Sequence, residues 1–175
     1  MQLTPEQGLF LIQVTLPTLK NEQQTTKRVI EAMPNGKGDY RPDPNAKSAL
    51  ELAWHIASAQ NFFLSSIAAG VFDFSGGPRP DSVRDAADIA AWYDQSFAKN
   101  LAALSAAKAE QLVKIMDFRG LFQLPAVAFL QFHIHHEIHH RGQLSTYLRP
   151  MGGKVPAIYG ESYDSAEAKK AAGAA

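Results

Sequence analysis

Six histidines are the side chains of this sequence best suited to chemistry. Five fall within eight positions (His133, His135, His136, His139 and His140), and the sixth is His55. Imidazole is the commonest metal ligand in proteins and also titrates near neutrality, so clustered histidines point to metal binding or proton handling. The chain has no cysteine, which excludes a disulfide framework and a thiolate metal site. Any transition metal must then be held by His, Asp or Glu.

The five clustered histidines lie in a stretch with helical periodicity. An α-helix turns about 100° per residue, so residues four apart lie one above the other, about 40° apart around the axis. His135/His139 and His136/His140 both satisfy this spacing, on different faces. Phe129, Phe132, Leu144 and Tyr147 fall within about 80° of the His136/His140 line, which marks that pair as facing the core. His135 and His139 point away, nearer Gln131, Gly142 and Thr146, and read as a polar surface strip. His133 lies one turn earlier on nearly the same face as His136, and with Tyr147 is a candidate to line the pocket or brace the ligands. Two ligands do not retain an ion. His55, in the middle of another helix that must pack in the same core, supplies the third, because bundle cores build metal sites from inward side chains on facing helices. Three neutral imidazoles leave coordination positions for water or substrate, the arrangement of a catalytic rather than a closed structural site.

The same residues spell a second motif. His136-Glu137-Ile138-His139-His140 is an H-E-x-x-H sequence, in which two histidines hold zinc and the glutamate activates the attacking water. The longer peptidase form requires a Gly three residues and a His six residues after the second histidine, where this chain has Gln143 and Thr146. The other form requires a glutamate on a following helix, and Glu161 sits in a Gly-flanked tail. A metallohydrolase of that type is therefore the minor reading, with Glu137 retained as a candidate proton-handling residue. Trp54, Phe129, Phe132 and Tyr147 hint at an apolar substrate, although such residues more often pack a core.

Four long segments must position these groups. Thr4-Pro5-Glu6-Gln7 is a capping box with Pro at the first helical position, and Leu9, Ile12, Leu16, Leu19, Val29 and Ile30 follow at helical spacing. Pro17 is expected to bend or divide that helix, which Met33-Pro34-Asn35-Gly36 closes. After a loop over 36–47, Ser48-Ala49-Leu50-Glu51 is a second capping box, opening a helix to about Gly70. A turn-rich stretch over 74–81 precedes a third helix over 83–107, whose stripe is Ile89, Trp92, Tyr93, Phe97, Leu101 and Leu104. Residues 109–124 predict extended chain or a small hairpin, and Pro125 is expected to open the last helix, which runs to Arg149. The fold class is all-α, a four-helix bundle with a short irregular or hairpin segment before the last helix. Residues 1–160 form one domain and 161–175 a tail whose last residues are expected to be mobile.

Bulk properties agree. The 175 residues are 46% apolar and 19% charged, with 17 basic against 17 acidic side chains, the profile of a globular protein without a field that attracts nucleic acid or an anionic membrane. No signal-peptide pattern and no run of about 18 apolar residues occurs, so a cytoplasmic protein is expected.

Two stretches carry a resemblance. HEIHHRGQLSTYLRPMGGKVPAIYG (136–160) and RPDPNAKSALELAWHIASAQNFFL (41–64) resemble the DinB-like (YfiT/DinB-type) family of damage-inducible metalloenzymes, and the similarity spans about 5–160. The resemblance implies an up-down-down-up bundle, often a homodimer, with His55, His136 and His140 holding zinc, nickel or a similar divalent ion. It implies a small-molecule substrate and, from some relatives, transfer of a low-molecular-weight thiol such as bacillithiol or mycothiol onto an electrophile. The alternative is a non-catalytic, metal-containing stress-response module. Several relatives carry a carboxylate five residues after the helix-two histidine, where this chain has Gln60.

Overall fold

Side-chain caps fix where the long helices begin. Thr4 Oγ1 accepts from the Gln7 amide while Gln7 Oε1 accepts from the Thr4 amide, starting α1 (Pro5–Glu31). Ser48 and Glu51 make the same reciprocal pair at 3.2 and 2.8 Å for α2 (Ala49–Ala69). The Asp85 carboxylate receives the Asp88 amide at 2.9 Å and opens α3 (Ala86–Ser105), so the third helix is shorter at both ends than 83–107. Gly70 ends α2 at φ 68°, a left-handed position that glycine fills without a Cβ clash. The computed structural model describes residues 2–173.

Pro17 does not divide α1. It sits on the exposed face, where the carbonyl deprived of its donor, that of exposed Gln13, can turn to water. A single turn, α4 (Ala109–Leu112), leads into a hairpin of β1 (Ile115–Phe118) and β2 (Phe122–Pro125), antiparallel with Ile115 opposite Pro125 and Phe118 opposite Phe122. The expected hairpin is present. Pro125, however, ends β2 rather than opening the last helix. The chain stays paired past it through Ala126 N–H to Lys114 and Val127 N–H to Leu112, and α5 (Ala128–Leu148) begins only then. An unpaired N–H side at a strand end tolerates proline as well as a helix start does. In the C-terminal tail, α6 (Tyr163–Gly173) forms with Ser162 and Ser165 capping each other, and it runs to the end of the described chain. Ala174 and Ala175, on which the expected mobility partly falls, lie outside the described residues.

Two apolar clusters stack along the bundle. One joins Val29 and Ile30 late in α1, Leu52 and Ile56 early in α2, Ile89 and Tyr93 early in α3, and Leu144 and Leu148 late in α5. The other joins Ile12 and Leu19 early in α1, Phe63 and Ile67 late in α2, Phe97 and Leu104 late in α3, and Phe129 and Leu130 early in α5. Hence α1 and α5 run one way and α2 and α3 the other, in up-down-down-up order. Each of α1 and α2 packs against both α3 and α5.

Between the two clusters lies a buried polar layer. Arg141, 1% exposed, reaches Glu22 Oε2 at 2.5 Å, Thr26 Oγ1 at 3.3 Å and the Tyr159 hydroxyl at 2.6 Å. Glu137, also 1% exposed, accepts from the Tyr93 hydroxyl and lies 3.0 Å from His133 Nε2. Such groups are retained in a core only when paired, because an unpaired buried charge is costly. No helix among the described residues is long and apolar enough to cross a membrane.

Candidate metal centre

His55 projects from the first half of α2, and His136 and His140 from successive turns of α5, the helix packed against it. One ring nitrogen from each lies within 4.8 Å of the others. Nε2 of His55 is 3.2 Å from Nε2 of His140, and the His136 and His140 ring centres are 4.4 Å apart. Two nitrogens each about 2.05 Å from a tetrahedral ion would stand about 3.3 Å apart, so the spacing suits a shared cation. The same distance would also suit a hydrogen bond between two neutral rings.

The protonation states favour ligation. Burial, followed by the His140 ring and the Lys47 charge, pushes His55 from 6.5 down to about 4. Burial and the neighbouring histidines push His136 to about 3. Burial also lowers His140, opposed by its bond to Gln143. All three rings are therefore neutral at pH 7, the form that binds metal. His136 Nδ1 is buried without a hydrogen-bond partner. The Gln143 carbonyl oxygen lies 2.7 Å from His140 Nδ1, so a neutral His140 carries its proton there and turns the Nε2 lone pair toward His55 and His136. The Gln143 amide nitrogen in turn sits 3.2 Å from His139 Nε2. These donors could hold a metal ion, and imidazole is a suitable ligand for several divalent transition metals.

The remaining candidates occupy other places. His135 is exposed and bonds Gln131 at 2.9 Å, and His139 is exposed and touches Gln143. His133 is fully buried, stacked on Phe63 at 5.9 Å and paired with Glu137. Burial would raise the Glu137 carboxyl, but His133 and Tyr93 outweigh it and hold the group below the usual range, as a carboxylate. Its oxygens are thus turned to Tyr93 and His133 in the core. Tyr147 is buried edge-on against Tyr40, ring centres 5.7 Å apart. Phe129 and Phe132 belong to an aromatic array with Phe63, Phe72 and Phe118 in the other apolar cluster. Of the four aromatics singled out in the sequence, Trp54 lines the cleft beside His55, packed on Trp92 at 4.7 Å.

That cleft, about 570 Å³, is bounded by the loop before α2, one side of α2 and the loop after it. Lys47, Ser58 and Arg79 line it with His55 and Trp54. Sequence reasoning did not single out Lys47, Arg79 or Gln143. Gln143 was legible, three residues after His140 on the same helix. Lys47 and Arg79 lie on separate loops, and no local pattern announces that they share a cleft.

The comparisons agree with this architecture. A model of the DinB family matches residues 11–171. The uncharacterized protein YjoA of Bacillus subtilis (strain 168) is 28% identical over 134 residues, covering 75% of this chain and 85% of that protein. The uncharacterized protein YrdA of the same strain is 32% identical over 114 residues, 62% of this chain and 64% of that one. The crystal structure of a DinB-like protein from Bacillus cereus ATCC 10987 superposes with a TM-score of 0.71 at 27% identity, covering 85% of this chain and 97% of that chain. That of Bacillus subtilis YjoA, also DinB-like, gives 0.65 at 26% identity, covering 81% and 94%. With its bundle order, its triad across two packed helices and a family match over nearly its whole length, this chain belongs to the DinB family.

Proposed function

We propose that the protein is a divalent-metal-dependent enzyme, with His55, His136 and His140 as ligands to zinc or nickel, and that it transfers a low-molecular-weight thiol to a small electrophile. One observation carries this reading: three neutral imidazoles converge on a single point, and His55 also lines an open cleft. A divalent ion held there would supply Lewis acidity, lowering the pKa of a thiol or water beside it. The protein's own part is positional. Gln143 fixes the ring of His140, and Trp54 gives the cleft an apolar wall. In the reaction the thiol proton leaves, sulfur attacks the electrophilic carbon, and the new C–S bond replaces a departing group or accompanies protonation of the adjacent atom. Glu137, bonded to Tyr93 and 3.0 Å from His133, is better suited to hold the core than to activate water, which weakens the metallohydrolase variant.

A non-catalytic module is the rival, favoured by the fact that the triad ties α2 to α5. Elemental analysis of untagged wild type and His140→Ala tests the proposal. Near-stoichiometric divalent metal, lost in the variant, followed by thiol consumption with an electrophile, is the expected result. No metal after incubation with zinc or nickel overturns it. Bound metal whose removal unfolds the protein, with no turnover in a screen of thiols, supports the module instead.

A further inference from the structure

The cleft beside His55 is unevenly charged. Arg41, Lys47 and Arg79 face Glu51 as its single carboxylate. Glu51 is held by its Oε2, which accepts the Ser48 amide at 2.8 Å and pairs with Arg41 Nη2 at 2.9 Å, while Arg41 Nη1 donates to the Ala46 carbonyl at 2.6 Å. Arg41 and Glu51 thus hold the loop to the start of α2. No carboxylate lies within 4.0 Å of Lys47 or Arg79 among the described residues, so both cations are free in a concave site.

Charge balance gives these cations a purpose. Three neutral imidazoles do not neutralise a divalent ion, and Lys47 and Arg79 add positive charge beside it. A cleft of one sign with low-dielectric walls concentrates ligands of the other sign. We propose that Lys47 and Arg79 form an anion subsite that receives a carboxylate of the small-molecule substrate, the rest of which lies along Trp54 toward His55. This assignment rests on the reading of the triad as the metal centre of an enzyme. The carboxylate belongs either to the thiol or to the electrophile, and the two sources separate experimentally.

Calorimetric titration of the full chain with succinate, metal-free and zinc-loaded, tests the subsite, with zinc content measured on the same samples. Both side chains lack ion-pair partners, so Lys47→Gln/Arg79→Gln is expected to fold and to keep wild-type zinc content. Succinate affinity is expected to fall about tenfold or more in the variant, in both forms, since charge-assisted bonds to a carboxylate are lost. Equal affinity in wild type and variant, or no binding to wild type, overturns the subsite. Absence of zinc from wild type overturns the metal reading by itself, whatever succinate does. In the zinc-loaded protein, 3-mercaptopropionate binding more tightly than 2-mercaptoethanol, and that more tightly than cysteamine, with the order collapsing in the variant, assigns the carboxylate to the thiol. The three thiols binding alike while succinate still depends on Lys47 and Arg79 assigns it to the electrophile.

Discussion

Nδ1 of His140 lies 2.7 Å from Oε1 of Gln143, one helical turn along α5 from the ring it orients. The bond decides which nitrogen of His140 is available to an ion, and His139 decides which way the Gln143 amide points. Partners that hold a metal-binding imidazole in place typically govern affinity rather than the presence of the site. Gln143→Leu is therefore expected to weaken zinc affinity by about 10- to 100-fold while leaving the stoichiometry attainable at high zinc. Competition with a chromophoric chelator measures it. Unchanged affinity would show that packing alone orients His140.

The depressed histidines make stability depend on pH in a definite direction. An unfolded chain protonates these rings near 6.5, whereas the folded metal-free protein resists protonation until about 4 at His55 and about 3 at His136. Below 6.5 the unfolded state binds more protons, so the fold loses stability as pH falls from 6.5 toward 4. Both rings are only about half buried, and solvent screening reduces the effect to on the order of 1–2 kcal/mol at pH 5. Urea unfolding of metal-free protein at pH 7.5 and 5.0, compared with His55→Gln/His136→Gln, isolates this contribution. The variant is expected to lose less stability between the two pH values than wild type, and equal losses would refute the assignment.

Legibility in the sequence followed the range of the interactions. Thr4/Gln7 and Ser48/Glu51 are caps completed within four residues, and both helix starts were readable. Pro125 was ambiguous because a strand end and a helix start make the same demand on a residue without an N–H. The triad was accessible through the four-residue spacing of His136 and His140 and the isolation of His55 in a second helix. The most buried line of α5 was not identified as such: Leu130, His133, Ile134, Glu137, Arg141, Leu144 and Leu148 carry it, and His136 and His140 flank it half-buried. No local pattern marks Glu137 and Arg141 as buried, because their partners, Tyr93 for Glu137 and Glu22 for Arg141, lie 44 and 119 positions away.

The Arg141–Glu22 pair supplies a stability prediction far from the chemistry. Arg141→Met leaves the buried Glu22 carboxylate with the Tyr159 hydroxyl as its remaining side-chain partner, at 2.9 Å. Breaking a buried pair from one side costs about 3–5 kcal/mol, because the orphaned charge stays desolvated. The double variant Arg141→Met/Glu22→Leu is expected to recover much of that loss, since no charge is then buried. Chemical denaturation of the three proteins measures both steps. If the double variant is no more stable than Arg141→Met, the pair contributes attraction that an apolar replacement cannot match.

Glu137 separates a structural carboxylate from a catalytic one. It lies next to His136 in sequence, yet its oxygens meet Tyr93 and His133 in the buried layer. Tyr93→Phe removes one donor and is expected to cost about 1–3 kcal/mol, the range for leaving a buried acceptor short of a bond. Glu137→Gln keeps the shape but loses the charge that His133 faces, and is expected to destabilise the protein while retaining its full complement of metal. A residue that activates metal-bound water would behave otherwise: its amide variant would remain as stable as wild type and lose turnover at saturating substrate. Thermal unfolding, metal content and kcat of Glu137→Gln, measured together, distinguish the two. Lost stability with turnover retained in the folded fraction assigns Glu137 to the core, and lost turnover in a fully stable, fully loaded protein would return it to the active site.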